Sequence, residues 1–236
     1  MMYTSNVALS SETHASMTLS PSPNGYRFAA DSLTVMLAAS EFFDAARCYP
    51  IIFSNYGENQ ILPLALLGLE TNENLFVDEE GAWDAPYIPA FIRRYPFIIT
   101  EAVDGVMTVC FDESYDGFNL EGGDQLFENG EPSEKCRQIQ EFLQDFHFRM
   151  EQNWGFCARL NELDLLHEIT AHATLDDGRS FDLNGMLVVD EKKFNELTDD
   201  EVLTLFRSGE LALIHAHLLS LRNLGILAAR KTERGA

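Results

Sequence analysis

The sequence predicts an α+β fold, on three observations. Runs rich in Ile, Val, Phe and Leu fall in pairs across short turns containing Gly, Asn or Asp, as antiparallel hairpins do. Long stretches with apolar residues at helical spacing gather in the second half instead of alternating with strands. Two segments of the first half also repeat one another. The chain's 236 residues, 46% hydrophobic and 11% aromatic, suffice for one sizeable core. We therefore read 1–236 as one domain: 1–20 loosely ordered, 41–111 a duplicated unit, and 133–227 a helical block around a third hairpin.

The repeat aligns 41–53 on 87–99 without gaps, pairing Arg47 with Arg93, Tyr49 with Tyr95 and Pro50 with Pro96. Phe42, Ala45, Ala46 and Tyr49 lie at i, i+3, i+4 and i+7, as do Ile88, Phe91, Ile92 and Tyr95, which gives each copy one apolar helical stripe. A residue before proline is pushed out of the α region, so Tyr49 and Tyr95 should end these helices. The runs that follow read as strands, each turning into a second one: 55–59 before Ile61 to Leu69, and Val103-Asp-Gly105 before Val106 to Phe111. The unit is helix, Tyr-Pro, hairpin, made twice; the alternative is two unrelated helix-to-strand junctions.

Further on, Ser133 reads as an N-cap, followed by Ile139, Phe142, Leu143, Phe146 and Met150 on one face. The stripe resumes at Phe156, Cys157, Leu160 and Leu163, giving one long helix or two in tandem. Glu168 to Leu175 and Ser180 to Val189, joined through Asp176-Asp177-Gly178-Arg179, form the third hairpin. Thr198 and Glu201 have capping-box spacing, Ser208 can cap a last helix through Leu224, and Gly225 can close it.

Charge and cysteine usage narrow the function. Sixteen basic against thirty-eight acidic residues give −22, a field that opposes nucleic acid and anionic membrane as partners. Cys48, Cys110, Cys136 and Cys157 are scattered without metal-ligand spacing, so they read as reduced thiols. The N-terminal stretch lacks the basic start and apolar run of a Sec signal, and Leu211 to Leu224 is interrupted by His215, His217, Ser220 and Arg222. The expectation is a cytoplasmic protein without a membrane span, needing no cofactor.

Three candidate sites emerge. Asp112, Ser114, Asp116 and Gly117 match the opening of an EF-hand calcium loop, but the twelfth position is Gly123 where a bidentate Glu is required. His215 and His217 point about 200° apart on a helix, so they cannot share a metal and one should face the core. The third is the run Trp83, Asp84, Tyr87, Arg93, Arg94 and Tyr95. Asp84 can cap the helix. Adjacent arginines beside aromatic rings suit a protein partner or a small anionic ligand, because guanidinium stacks on rings and forks to carboxylate. The competing use of those arginines is pairing with the chain's own acids. No nucleophile elbow or phosphate loop is present to define an enzyme. Self-association through Phe142, Phe146, Met150 and Trp154 is a further expectation.

The runs Leu64 to Leu69, Glu73 to Asp78, Trp83-Asp84 with Tyr87 to Pro96, and Phe206 to Ile214 with Ala216 to Ser220 resemble the bacterial SapC family, over about Val7 to Leu227. That resemblance implies an association with a bacterial surface layer. It does not extend to an unrelated peptide-transporter permease that shares the name. Family members near flavin-dependent tryptophan halogenases, iron oxygenase-like proteins and outer-membrane receptors imply an accessory role. No catalytic residues come with the family. Two readings follow: a non-enzymatic accessory or interaction component, with export to the surface without a Sec signal as one location, or an enzyme or small-ligand binder working beside a halogenase or oxygenase. A pocket gathering Asp78, Asp84, Arg93, Arg94, Asp112 and Glu113 would favour the second.

Overall fold

A computed structural model of the chain describes residues 2–57, 60–101, 107–175 and 178–235. The first half carries β1 (Asn6–Ala8), β2 (Thr18–Leu19), β3 (Thr34–Met36), α1 (Phe42–Ala45), β4 (Ile51–Tyr56), β5 (Gln60–Leu66), α2 (Ala90–Arg93), β6 (Phe97–Glu101) and β7 (Met107–Asp112). The second carries β8 (Asp124–Gln125), β9 (Phe127–Glu128), β10 (Glu131–Pro132), α3 (Glu134–Glu162), β11 (Leu166–Thr174), β12 (Ser180–Val189), α4 (Glu191–Asn195), α5 (Asp199–Ser208), α6 (Glu210–Ser220) and α7 (Leu224–Gly235). The fold is α+β, with antiparallel strands and a C-terminal helical block. Of the sequence-predicted turns, Glu58, Asn59, Val103 to Val106, Asp176 and Asp177 lie outside the described residues.

Both copies of the repeat contain one helical turn, a Tyr-Pro step and a hairpin. The helices are shorter than the stripe suggests. Pro89 occupies the N-cap of α2, and the proline after each tyrosine stops any continuation. The Tyr95–Pro96 bond is cis. The two hairpins enter different sheets: β4 and β5 are central in a five-stranded sheet of order β11-β12-β4-β5-β3, and β6 and β7 belong to a three-stranded sheet of order β1-β7-β6. The copies meet at their first residues, where Glu41 Oε1 accepts from Tyr87 Oη at 2.5 Å and from Ala90 N at 2.8 Å.

Residues 2–20 differ from the loosely ordered segment the sequence suggests. β1 pairs with β7 from Asn6 opposite Asp112 to Ala8 opposite Cys110, and β2 pairs with β8. Pairing satisfies main-chain groups that a loose tail would leave to water.

Ser133 caps α3, its Oγ accepting from Cys136 N, and the apolar stripe resolves into one 29-residue helix. α3 serves two cores. Cys136 and Leu143 pack with Phe97, Phe111, Leu126 and Phe127, while Phe156, Cys157 and Leu160 join the larger core with Phe42, Tyr49 and Phe53. Burying aromatic and aliphatic side chains of this size contributes about 1.5–3 kcal/mol each. Asn153 fastens α3 to the chain before α1, donating to Leu37 O and accepting from Ala39 N, both at 2.8 Å.

The helical block departs from the sequence reading at its end. The capping box of Thr198 and Glu201 opens α5, and Gly209, at φ 82°, separates α5 from α6. Gly225 does not close the last helix; it lies within α7, which runs to Gly235. The run Glu210–Gly235 is long and apolar enough, by length and composition, to cross a membrane. Its buried polar side chains are spent on neighbouring main chain. His217 faces the core, donating through Nδ1 to Ile51 O and accepting at Nε2 from Val189 N. Ser220 Oγ accepts from Ile51 N, and Asn223 donates to Ala46 O and Tyr49 O.

Candidate functional site

The six residues singled out between Trp83 and Tyr95 separate into two environments. Trp83 joins an aromatic cluster with Tyr26, Tyr49 and Phe76, its Nε1 donating to Tyr49 Oη at 2.8 Å. Asp84 does not cap α2. Its carboxylate and carbonyl instead accept from the Arg230 guanidinium at 2.6 and 2.7 Å, because Pro86 and Pro89 carry the chain away before the helix starts. Tyr87 commits its hydroxyl to Glu41; burial, reinforced by that carboxylate, pushes its pKa up.

The arginines face elsewhere. Arg93 donates through Nε to Ile88 O at 2.9 Å and places its guanidinium 5.2 Å from the Phe142 centroid and 5.9 Å from that of Tyr87. Arg94, at the end of the same turn, lies 4.1 Å from the Phe91 centroid, 5.0 Å from Phe146 and 5.7 Å from Tyr3. Burial lowers the Arg94 pKa, and Tyr3 opposes that shift. Burial in turn pushes Tyr3 up to about 12. Among the described residues no carboxylate pairs with either arginine, and the buried Arg94 Nε has no acceptor.

Arg93 and Arg94 both line a cavity of about 390 Å³ between the start of β6, the first turns of α3 and the segment after β2, and Arg94 also lines a neighbouring cavity of about 230 Å³ with Leu143 and Phe146. Lys135 adds a third cation; Asp124 is the acid in the lining, 3.6 Å from the Lys135 ammonium. Leu19, Phe97, Ile139, Phe142 and Leu143 form an apolar wall. Gly117 keeps Ser20 and Tyr115 together at the rim: a Cβ there would run into the Ser20 carbonyl and the Tyr115 ring.

Tyr95 completes the rim, its ring stacked on Phe28 with centroids 4.1 Å apart and its hydroxyl donating to Asp112 Oδ2 at 3.3 Å. Burial pushes its pKa up to about 12. Asp112 is 1% exposed and faces inward. Its oxygens accept from Thr4 N at 2.8 Å, Ser5 N at 3.2 Å, Ser114 N at 3.0 Å and Ser114 Oγ at 2.8 Å. Burial alone would raise the Asp112 pKa, but these donors together lower it. Asp116 accepts from Asn24 Nδ2 at 2.5 Å. Asp112 and Asp116 thus accept from protein donors, and among the described residues there is no group of three or more His, Cys, Asp or Glu placed to hold a metal.

Sequence reasoning missed Lys135 and the role of Phe142 and Phe146. The two phenylalanines lie on the helical stripe and read as core or as a dimer face. Phe146 is buried, Phe142, Met150 and Trp154 are half-buried, and the arginines cover part of that face. Lys135, two residues after the Ser133 cap, carried a readable signal: it sits seven positions before Phe142, nearly two helical turns away on the same side.

Fold and site thus define a class: an α+β protein with a cavity rimmed by two arginines and a lysine beside aromatic rings. The model of the SapC family matches residues 9–227, so the chain belongs to the SapC family. Searches of the curated proteins and of the solved structures return no match.

Proposed function

We propose that this SapC-family protein is a non-enzymatic accessory component that captures an anionic group of a partner at the Arg93–Arg94 rim. One observation carries the reading: in a chain with 38 acidic residues, the described carboxylates leave these two guanidinium groups to aromatic rings. Rings over the face of a guanidinium leave its in-plane N–H groups for acceptors; Arg93 spends Nε on Ile88 O and also bonds Tyr87, and Arg94 bonds Tyr3, so a ligand would meet the N–H groups that remain.

The acids that an enzyme would gather there are dispersed. Asp78 accepts from Glu80 N and Ala82 N, Asp84 holds Arg230, Asp112 holds the N-terminal strand, and Glu113 accepts from Ser5 Oγ at 3.2 Å. None of them lines the cationic cavity. That dispersal favours binding over acid–base chemistry. In the surface-layer setting the partner is a neighbouring surface protein; in the accessory setting it is a halogenase- or oxygenase-like enzyme. The net charge of −22 disfavours nucleic acid in either setting.

The test is recovery of partners from the native host with the intact protein, with Arg93→Glu/Arg94→Glu, and with the more exposed pair Arg93→Glu/Lys135→Glu as a folding-safe control. Partners recovered by the intact protein and lost with both variants, at unchanged melting temperature for the second, support the reading. Identical recovery with all three removes it.

A further inference from the structure

We propose that the cavity under Arg93, Arg94 and Lys135 binds a carboxylate carried on an apolar body; this deepens the anion-capture reading above and rests on it. Three features select that chemistry. Stacking on Phe142, Phe91 and Phe146 holds the guanidinium groups in place before a ligand arrives, so little side-chain freedom is lost on binding. The apolar part of the lining, Leu19, Phe97, Ile139 and Leu143, offers nothing to a bare inorganic anion and much to an apolar group that displaces water from it. Asp124 at the rim and the chain's charge of −22 raise the cost of a dianion relative to a monoanion, which favours carboxylate over phosphate. A volume of about 390 Å³ admits a phenyl or short alkyl group with its carboxylate at the arginines.

Such a group reaches the site either as a free small acid or as the C-terminal carboxylate of a polypeptide ending in an apolar residue. Calorimetric titration of the full chain distinguishes them. The probes are phenylacetate, an N-acetylated peptide ending in Phe as free acid and as amide, and acetate, inorganic phosphate and phenethylamine. Phenylacetate or the peptide acid should bind at least about tenfold tighter than acetate or phosphate, with the amide and the amine silent. The double variant Arg93→Gln/Lys135→Gln should weaken the acid at least about tenfold while melting at the same temperature. Tighter binding of phenylacetate identifies a free acid, and tighter binding of the peptide acid identifies a chain terminus.

Acetate or phosphate binding as well as phenylacetate overturns the apolar-body proposal while leaving the anion-capture reading intact. Equal binding of phenethylamine overturns both. Full binding by the double variant, or no binding of any acid up to roughly 10 mM, overturns the proposal, and the recovery experiment then decides the broader reading separately.

Discussion

The guanidinium of Arg94 lies 4.1 Å from the ring centroid of Phe91, three residues earlier and one helical turn below it. Phe146 of α3 supplies a second ring at 5.0 Å. The side chain thus works as a packing element through its stem and face and as a cation through its edge. Arg94→Met keeps the packing and removes the cation. It should cost no more than about 1 kcal/mol in chemical denaturation and still weaken anion binding, whereas Arg94→Ala should cost about 1–3 kcal/mol. A methionine variant that binds as the intact protein does would show that the edge is not used.

His217 makes stability fall in acid. Its pKa is ordinarily 6.5 and burial lowers it to about 4, so between those values the unfolded chain takes a proton that the folded chain refuses. Its contribution is fully present above pH 6.5 and is lost as pH falls toward 4, amounting to about 3 kcal/mol. Urea denaturation of the intact protein and His217→Gln, compared from pH 7 to 4, should show a shallower slope in the variant. Parallel slopes would mean that His217 is protonated as readily folded as unfolded.

Asp112 closes the N-terminal strand onto β7. Replacing it by Asn turns one acceptor oxygen into a donor, facing Thr4 N if Oδ2 is replaced or Ser5 N and Ser114 N if Oδ1 is. The expected loss is about 1–3 kcal/mol, with faster hydrogen exchange at Val7 and Leu9, whose amides face β7. Added calcium should leave the melting temperature of the intact protein unchanged.

Ser220 accepts from Ile51 N where β4 begins, and both residues are buried. Ser220→Ala leaves that donor without a partner and should cost about 1–3 kcal/mol, against no more than about 0.5 kcal/mol for Ser208→Ala at the exposed end of α5.

Local patterns foretold most of the elements. The Ser133 cap, the Thr198–Glu201 box and the third hairpin depend on residues a few positions apart, and each forms where its spacing places it. What escaped depends on long-range partners. Asp84 looks like a cap until Arg230, 146 residues later, takes it. Gly225 looks like a stop until α7 continues through it. The arginines were legible as a pair, and so was the question of whether internal acids would consume them; the separation of Trp83 from them was not. Indole and guanidinium are close in sequence but meet different rings, Trp83 those of Tyr26, Tyr49 and Phe76 and the arginines those of Phe91, Phe142 and Phe146. Lys135 joins the rim only through the tertiary approach of α3 to α2.

Anion capture at this rim requires the Arg93 edge to meet an external carboxylate. Phenylglyoxal modification of arginines, mapped by mass spectrometry with and without phenylacetate, measures this. Arg93 should be protected by the acid while the exposed Arg207 on α5 reacts at an unchanged rate. Equal reactivity of Arg93 in the presence and absence of the acid would contradict the assignment.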